Sequence, residues 1–517
     1  MSQRPKPILM IIIDALATRV AEPAMNDGRL PNFARLVRHG QYSPTCWSMF
    51  PSITPAATCT LHTGLYPQRH GVAGAYWYDS KQDRVAYFGD DIWPILAHGH
   101  GRFLHEFQVT LNYDHLRVPT VYELARKAGF KAACVNSMWF RADVPHEVNL
   151  PLLFKLLPGV KTAKTLNGPD ILCLADFVTS DPDGSGRKLK APGGVARRYG
   201  FHDETTAGYL LDLASRGPLP GLTVAYFPNN DFESHRVGPL KAIPALQFVD
   251  ETLGKLFDAR GGFDAFLREN AILITGDHSQ CDTLEDDDER RINLDDVLAD
   301  LNVVSAGQEW GEGDQVMACP NMRTAQVYLR DGTGLRDRVV AELLAEPRID
   351  QALWAEPSSE RPETYHVATA DRGTLVFHSG DGASQTARDD YGTIWSWDGD
   401  LSAVDGEVSD GRLRFGDYPN AFERIAGGFF DEAGHVLTTA KLGREFVLPG
   451  TETHAGGSHG SLHRLDSTSP LIAAGLPEGI ALPQFPRTVD FVPLALQCLG
   501  IGFEYVPGAA RPVRHRE

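Results

Sequence analysis

The chain lacks a long apolar run, lacks any CxxC pair and lacks a surplus of positive charge, and each deficit excludes a class of protein. A membrane-spanning helix needs about 20 apolar residues. The N-terminal run Ile8–Ile13 stops at Asp14, too early even for the core of a secretory signal. Seven cysteines (Cys46, Cys59, Cys134, Cys173, Cys281, Cys319 and Cys498) are odd in number and widely scattered, the usage of a reducing compartment, so a cytoplasmic protein is expected. With 49 Lys and Arg against 67 Asp and Glu, the formal charge is -18. That balance argues against nucleic acid, whose sequence-independent binding needs a basic footprint, and against an anionic membrane surface. An anionic small molecule would have to be attracted by something other than surplus side-chain cations, and bound metal ions are the obvious candidates.

What is present reads as a turn-rich globular chain of 517 residues, 42% hydrophobic, with 50 Gly and 34 Pro. PILMIIID (Pro7 to Asp14) suits a strand buried on both faces. LPNFARLVRHG (Leu30 to Gly40) reads as a helix with Pro near its start and Gly as its stop. TVYELARKAGF carries a capping box in Thr120 and Glu123, ends at Gly129, and leads into the strand Lys131 to Asn136. LTVAYF (Leu222 to Phe227), AILITG (Ala271 to Gly276) and PLIAAG (Pro470 to Gly475) are further strands, with a helix at about residues 244–260. This alternation predicts an α/β fold with a mostly parallel central sheet covered by helices on both faces. Residues 281–454 differ, with an acidic run EDDDE (Glu285 to Glu289) expected as a solvated loop and short alternating segments such as GTLVFHSG and GTIWSWDGD. They read as a partly β insertion, dividing a catalytic core into 1–280 and 455–517.

Candidate chemistry gathers at strand ends. Asp14 closes the first strand, Asp231 follows Phe227 by four residues, and Asp277 follows Gly276. His235 and His278 sit beside them, and His459 in GSHGS is a third candidate with His454 and His463 as rivals. A lone aspartate after a strand is more often a helix cap than a ligand. Here all would share the sheet edge where α/β proteins bind ligands. Carboxylate and imidazole together suit Zn²⁺ and are open to Mn²⁺ or Fe²⁺. A divalent cation can also hold a hydroxyl as alkoxide. The run FPSITPAATCTLHTG (Phe50 to Gly64) supplies Ser52, Thr54, Thr58, Thr60 and Thr63, and spacing does not choose among them.

FPSITP, TGLYPQRHGVAG (Thr63 to Gly74), DFESHRVGP, TGDHS, GSHGS and RTVDFVPLALQCLGI together resemble the nucleotide pyrophosphatase/phosphodiesterase branch of the alkaline phosphatase superfamily. That resemblance implies Thr54 as nucleophile, an alkaline-phosphatase-like fold, and two divalent ions, usually zinc with manganese as the alternative. It places one ion on Asp231, His235 and His459, and the other on Asp14, Asp277 and His278 beside Thr54. It further implies hydrolysis of a small phosphate ester through a phosphothreonine intermediate. Two cations contribute about +4 and three carboxylates with an alkoxide about -4, leaving a near-neutral, polarising centre.

Two departures bear on specificity. Pro55 stands where nucleotide-cleaving relatives have an aromatic residue, and Ala75 where they have an asparagine that hydrogen-bonds a phosphoryl oxygen. Loss of such a donor costs about 3 kcal/mol of transition-state stabilisation unless it is replaced, and Tyr76, Trp77, Asn136 and Arg141 are the substitutes considered. The HGHG run at His98 to Gly101 reads as a turn. The leading expectation is a phosphodiester hydrolase. Its alternatives are a phosphonate C–P hydrolase of the phosphonoacetate hydrolase type and a weakly catalytic metal-binding protein whose insertion recognises a partner. A sulfatase is disfavoured because no cysteine lies in a CxPxR context.

Overall fold

A computed structural model describes residues 5–88, 105–150, 163–305, 307–332, 334–356, 364–449 and 451–503. The HGHG run lies outside them. Strand β1 (Ile8–Ile13) is buried along its whole length because it has two cores to serve. Leu9, Ile11 and Ile13 join one hydrophobic cluster and Ile8, Met10 and Ile12 the other. Period-two alternation across a sheet covered on both sides therefore yields a continuous apolar run. Truncating one of these side chains, as in Ile11→Ala, costs about 2–5 kcal/mol.

The remaining strands of this sheet are β2 (Gln41–Trp47), β3 (Ala132–Val135), β4 (Ile171–Leu174), β5 (Val178–Thr179), β6 (Leu222–Phe227), β7 (Ala271–Thr275) and β8 (Thr468–Ala474). Their order is β2-β8-β7-β1-β6-β3-β4-β5. Strands β7, β1, β6, β3 and β4 run parallel. Strand β8 is antiparallel to both β7 and β2, and β5 is antiparallel to β4. The sheet is thus parallel through its middle, as expected, and antiparallel at both edges, because a short apolar run such as PLIAAG carries no information about direction.

Helices cover both faces. Against one pack α1 (Pro31–His39), α4 (Asp203–Ser215) and α6 (Ile243–Ala259); against the other, α2 (Thr54–Thr63), α3 (Val121–Lys127) and α7 (Phe491–Cys498). Helix α5 (Asn229–Val237) follows β6 directly. The α3 capping box closes in both directions, Glu123 N–H donating to Thr120 Oγ1 at 3.2 Å and Thr120 N–H to Glu123 Oε2 at 2.7 Å.

A second sheet of ten strands is built between Val316 and Ala440. Its neighbours are antiparallel except Gln385–Asp389 with Arg412–Phe415. GTLVFHSG and GTIWSWDGD contribute its strands Thr374–Ser379 and Ile394–Gly399. The acidic run is one helical turn, Asp287–Arg290, rather than a loop. Asp286 caps it by accepting from Asp288 N–H and Glu289 N–H, while Asp287 pairs with Arg290 and Arg291. Among the described residues, no helix is long and apolar enough to cross a membrane. All seven cysteines are buried and free.

Candidate metal centre

The register of the parallel strands fixes where the acidic residues emerge. Ile13 pairs with Phe227 and Ile12 with Thr275, so β1, β6 and β7 finish at one edge and release Asp14, the α5 turn and Asp277 together. Asp231 and His235 lie one helical turn apart on α5 and face the same side. His459 arrives from the Gly-rich loop before β8. A Cβ on Gly456 would lie 2.1 Å from the Gly238 nitrogen, and Gly460, at φ +122°, has Asn321 O 2.9 Å from where its Cβ would stand. Only glycine lets this loop press against α5 and the second sheet.

Five hydroxyls in Phe50–Gly64 have separate destinations. Ser52 Oγ donates to Ser461 O (3.0 Å), Thr58 Oγ1 to Thr54 O (2.5 Å), Thr60 Oγ1 to Ala56 O (3.2 Å) and Thr63 Oγ1 to Cys59 O (2.8 Å). These four serve backbone carbonyls. Thr54 Oγ1, on the half-buried first residue of α2, instead lies 3.0 Å from His278 Nε2. Pro55 follows at a helical position whose N–H would have no intrahelical acceptor. Ser52 also laces this segment to the His459 loop: its N–H donates to Gly460 O (3.2 Å), and its carbonyl accepts from His459 Nδ1–H (2.7 Å).

Two buried clusters result, each with one donor atom per residue and all three atoms within 4.8 Å of one another: Asp14, Asp277 and His278; and Asp231, His235 and His459. In the first, His278 Nε2 is 3.3 Å from Asp14 Oδ1 and 3.4 Å from Asp277 Oδ2. In the second, Asp231 lies 3.3 Å from His235 Nε2 and 3.7 Å from His459 Nε2. The His278 and His459 rings stack at 3.6 Å between centroids, which sets the clusters side by side. Nδ1–H of His235 donates to Gly457 O (2.8 Å), that of His459 to Ser52 O and that of His278 to Ser279 O (3.2 Å). All three Nε2 lone pairs are thereby presented inward, the arrangement that orients metal-ligating imidazoles.

The charges are crowded. Burial, then the Asp277 and Asp231 carboxylates, push Asp14 well above the usual carboxylate range. Asp277 is also raised, by burial and by Asp231. Burial raises Asp231 too, but His235, His459 and His278 outweigh it and hold that carboxyl below its ordinary value. Burial and the neighbouring His278 push His459 well below the normal histidine value. Asp14 Oδ1, Asp277 Oδ2, His235 Nε2 and His459 Nε2 are buried with no hydrogen-bond partner. An unsatisfied buried polar atom costs about 1–3 kcal/mol, and these four belong to the two clusters. A divalent cation in each would satisfy them at once, and the mixed carboxylate–imidazole donors fit zinc and admit manganese.

The rival histidines have other partners. His463 Nδ1 accepts from Leu465 N–H at 3.1 Å as a helix cap. His454 Nδ1–H donates to buried Glu445 (3.0 Å), and its ring lies 4.1 Å from that of His235. Of the substitutes considered for the missing asparagine, Asn136, Arg141 and Tyr76 hold other hydrogen bonds and Trp77 is packed among rings. Asn136 Nδ2 donates to Gly200 O and Thr206 Oγ1, and Arg141 donates to three backbone carbonyls and Glu123. The Tyr76 hydroxyl accepts from Gly307 N–H, and Trp77 is buried against Phe88 and His115.

Sequence reasoning passed over three supports. Tyr226 O–H donates to Asp14 Oδ2, Gln280 Nε2 donates to Asp231 Oδ1 (2.5 Å), and Asn230 Nδ2 donates to Asp14 O (2.8 Å) and Ala15 O (2.9 Å). Each sits within a few residues of a candidate ligand in sequence, the one signal that could have found it.

The model of the type I phosphodiesterase / nucleotide pyrophosphatase family matches residues 8–399. No curated protein matches the sequence significantly. Among solved structures, the fold is similar to phosphonoacetate hydrolase from Sinorhizobium meliloti 1021, at 15% identity and 96% coverage of both chains. Its complex with phosphonoacetate superposes with a TM-score of 0.56 and its complex with phosphonoformate with 0.57.

Proposed function

Because the chain belongs to the type I phosphodiesterase / nucleotide pyrophosphatase family, within the alkaline phosphatase superfamily, we propose that it hydrolyses phosphodiesters through Thr54. The observation that carries this reading is the meeting of one hydroxyl that serves no backbone carbonyl with two buried acid and imidazole clusters in which four atoms lack a hydrogen-bond partner. One divalent ion, zinc by donor type, would be held by Asp14, Asp277, His278 and the Thr54 oxygen, and a second by Asp231, His235 and His459. Such ions supply a lowered hydroxyl pKa and neutralise charge on the phosphoryl oxygens.

The chain's own groups do the rest. Helix α2, buried from Pro55 onward, holds the Thr54 hydroxyl at its start, 3.0 Å from His278 Nε2, so that both atoms would meet the first ion. Thr54 Oγ bonds to phosphorus while the bond to one alcohol breaks, leaving the retained ester on Thr54. Water then attacks the same phosphorus, releasing a monoester and regenerating the hydroxyl. Tyr226 and Gln280 orient Asp14 and Asp231, as supporting residues do in metal sites.

The test is metal analysis of the purified protein joined to assays of bis-(nitrophenyl) phosphate and phosphonoacetate. Two bound divalent ions and chelator-sensitive diester cleavage are expected. The fold likeness to phosphonoacetate hydrolase favours one second reading, C–P bond hydrolysis, and cleavage of phosphonoacetate without diester cleavage would select it. Metal binding with neither activity would select a metal-binding interaction protein.

A further inference from the structure

The second sheet reaches the metal centre through the turn between its strands Val316–Asn321 and Thr324–Leu329. Arg323 N–H donates to His459 O at 2.9 Å. Gly460, the next residue, has Asn321 O and Arg323 N 2.9 and 3.4 Å from where its Cβ would stand. The turn is itself held in place. Asn321 Oδ1 accepts from Ala75 N–H (2.8 Å) and Tyr76 N–H (3.0 Å), and Met322 O accepts from Phe446 N–H (2.7 Å).

From that turn the Arg323 side chain enters the interior, where its guanidinium donates to Ala440 O at 2.9 Å and pairs with Asp466. Both partners are buried. Asp466 Oδ2 also accepts from Ser461 N–H (2.9 Å) and Ser461 Oγ–H (2.6 Å), two residues beyond His459. The His459 loop is thus gripped at its own carbonyl by the Arg323 backbone and at Ser461 by the carboxylate that Arg323 neutralises. A buried ion pair is poor evidence of stabilisation, because desolvation offsets the attraction; its best-attested use is to fix one register among several. Here that register is the seating of the His459 loop on the second sheet. The first cluster is braced from the other sheet: Asp277 O accepts from Ser48 Oγ (2.5 Å), and His278 O from Ser469 Oγ on β8 (3.0 Å). Ser279 N–H does donate to Asp466 O at 2.9 Å, a bond that involves neither side chain.

We propose that Arg323 is a positioning residue for the second ion: paired with Asp466, it transmits the placement of the second sheet to His459. The second sheet then completes the site of Asp231, His235 and His459, and the first sheet alone builds that of Asp14, Asp277 and His278. The inference rests on the reading that each cluster holds a divalent ion. It gives the second sheet a task in the centre, although none of the six ligands lies on its strands.

Zinc titration of the full chain against a competing chromophoric chelator yields the two affinities, and His459→Ala identifies which belongs to the second site. Arg323→Met combined with Asp466→Leu replaces the pair by apolar side chains and leaves no buried charge alone. It should weaken the second ion about ten- to a hundredfold and the first by less than about twofold. A general loss of stability would weaken both ions together. Arg323→Lys, which keeps a cation against Asp466, should recover much of the loss. Ser461→Ala spares the ion pair and removes one hydrogen bond between Asp466 and the loop, so it should weaken the same ion about fivefold. Equal weakening of both ions, or an unchanged second affinity in the double variant and in Ser461→Ala, overturns the inference, while the two ions bound by the wild-type chain keep the hydrolase reading. A wild-type chain that binds fewer than two ions overturns both.

Discussion

The two clusters use the same residue types and nearly the same burial, yet their carboxylates are pushed in opposite directions. Asp14 and Asp277 leave adjacent parallel strands, so the sheet forces two acids together with a single imidazole, and both are raised. Asp231 leaves a helix and gathers imidazoles from its own next turn, from the loop before β8 and from β7's end, and is lowered. Sheet edges concentrate like charge; a helix and a returning loop dilute it. The first cluster is therefore the one that most needs a cation, and it is the one that holds Thr54.

The largest test of this difference removes the hydroxyl alone. Thr54→Ala should lower diester kcat/KM by about a thousandfold or more, with both ions retained in metal analysis; unchanged turnover would leave the first cluster without its special role. Next, the clusters should respond with opposite sign to loss of a carboxylate in metal-free protein. Asp277 is raised in the folded state, so its ionisation costs stability as pH rises above the unfolded carboxylate range. Asp277→Asn should then stabilise the metal-free fold at pH 7 by about 1–3 kcal/mol and do less at pH 4. Asp231 is depressed, so its contribution is present above the unfolded range and fades as pH falls. Asp231→Asn should destabilise at pH 7 by a similar amount. Denaturant titrations at both pH values read this directly, and shifts of the same sign would break the comparison. The smallest effect is expected from Tyr226→Phe, which removes one hydrogen bond to Asp14 and should weaken one bound ion about tenfold while sparing the other.

Much of the first cluster could be read before any fold was known, because apolar runs ending in Asp14 and Asp277 imply strands, and parallel strands deliver their ends to one edge. Asp231 and His235 were equally legible, since an i, i+4 pair after a strand needs only a helix. His459 was not separable from His454 and His463 without the family likeness. Its selection depends on Ser52 O and Gly460, contacts between segments some 400 residues apart that no local pattern encodes. The antiparallel course of β8 was hidden for a related reason, as was the helical turn in EDDDE, whose cap on Asp286 depends on backbone geometry. Asn136 and Arg141, considered beside Ala75, hold long-range backbone bonds, and being polar near a strand end does not reveal that.

The most direct measurement is mass spectrometry of the metal-loaded protein, acid-quenched during turnover of a phosphodiester. A phosphoester adduct confined to Thr54, carrying the retained alcohol and absent from Thr54→Ala, is the predicted result. Continued turnover with no adduct on Thr54, or with the adduct on another residue, would contradict it.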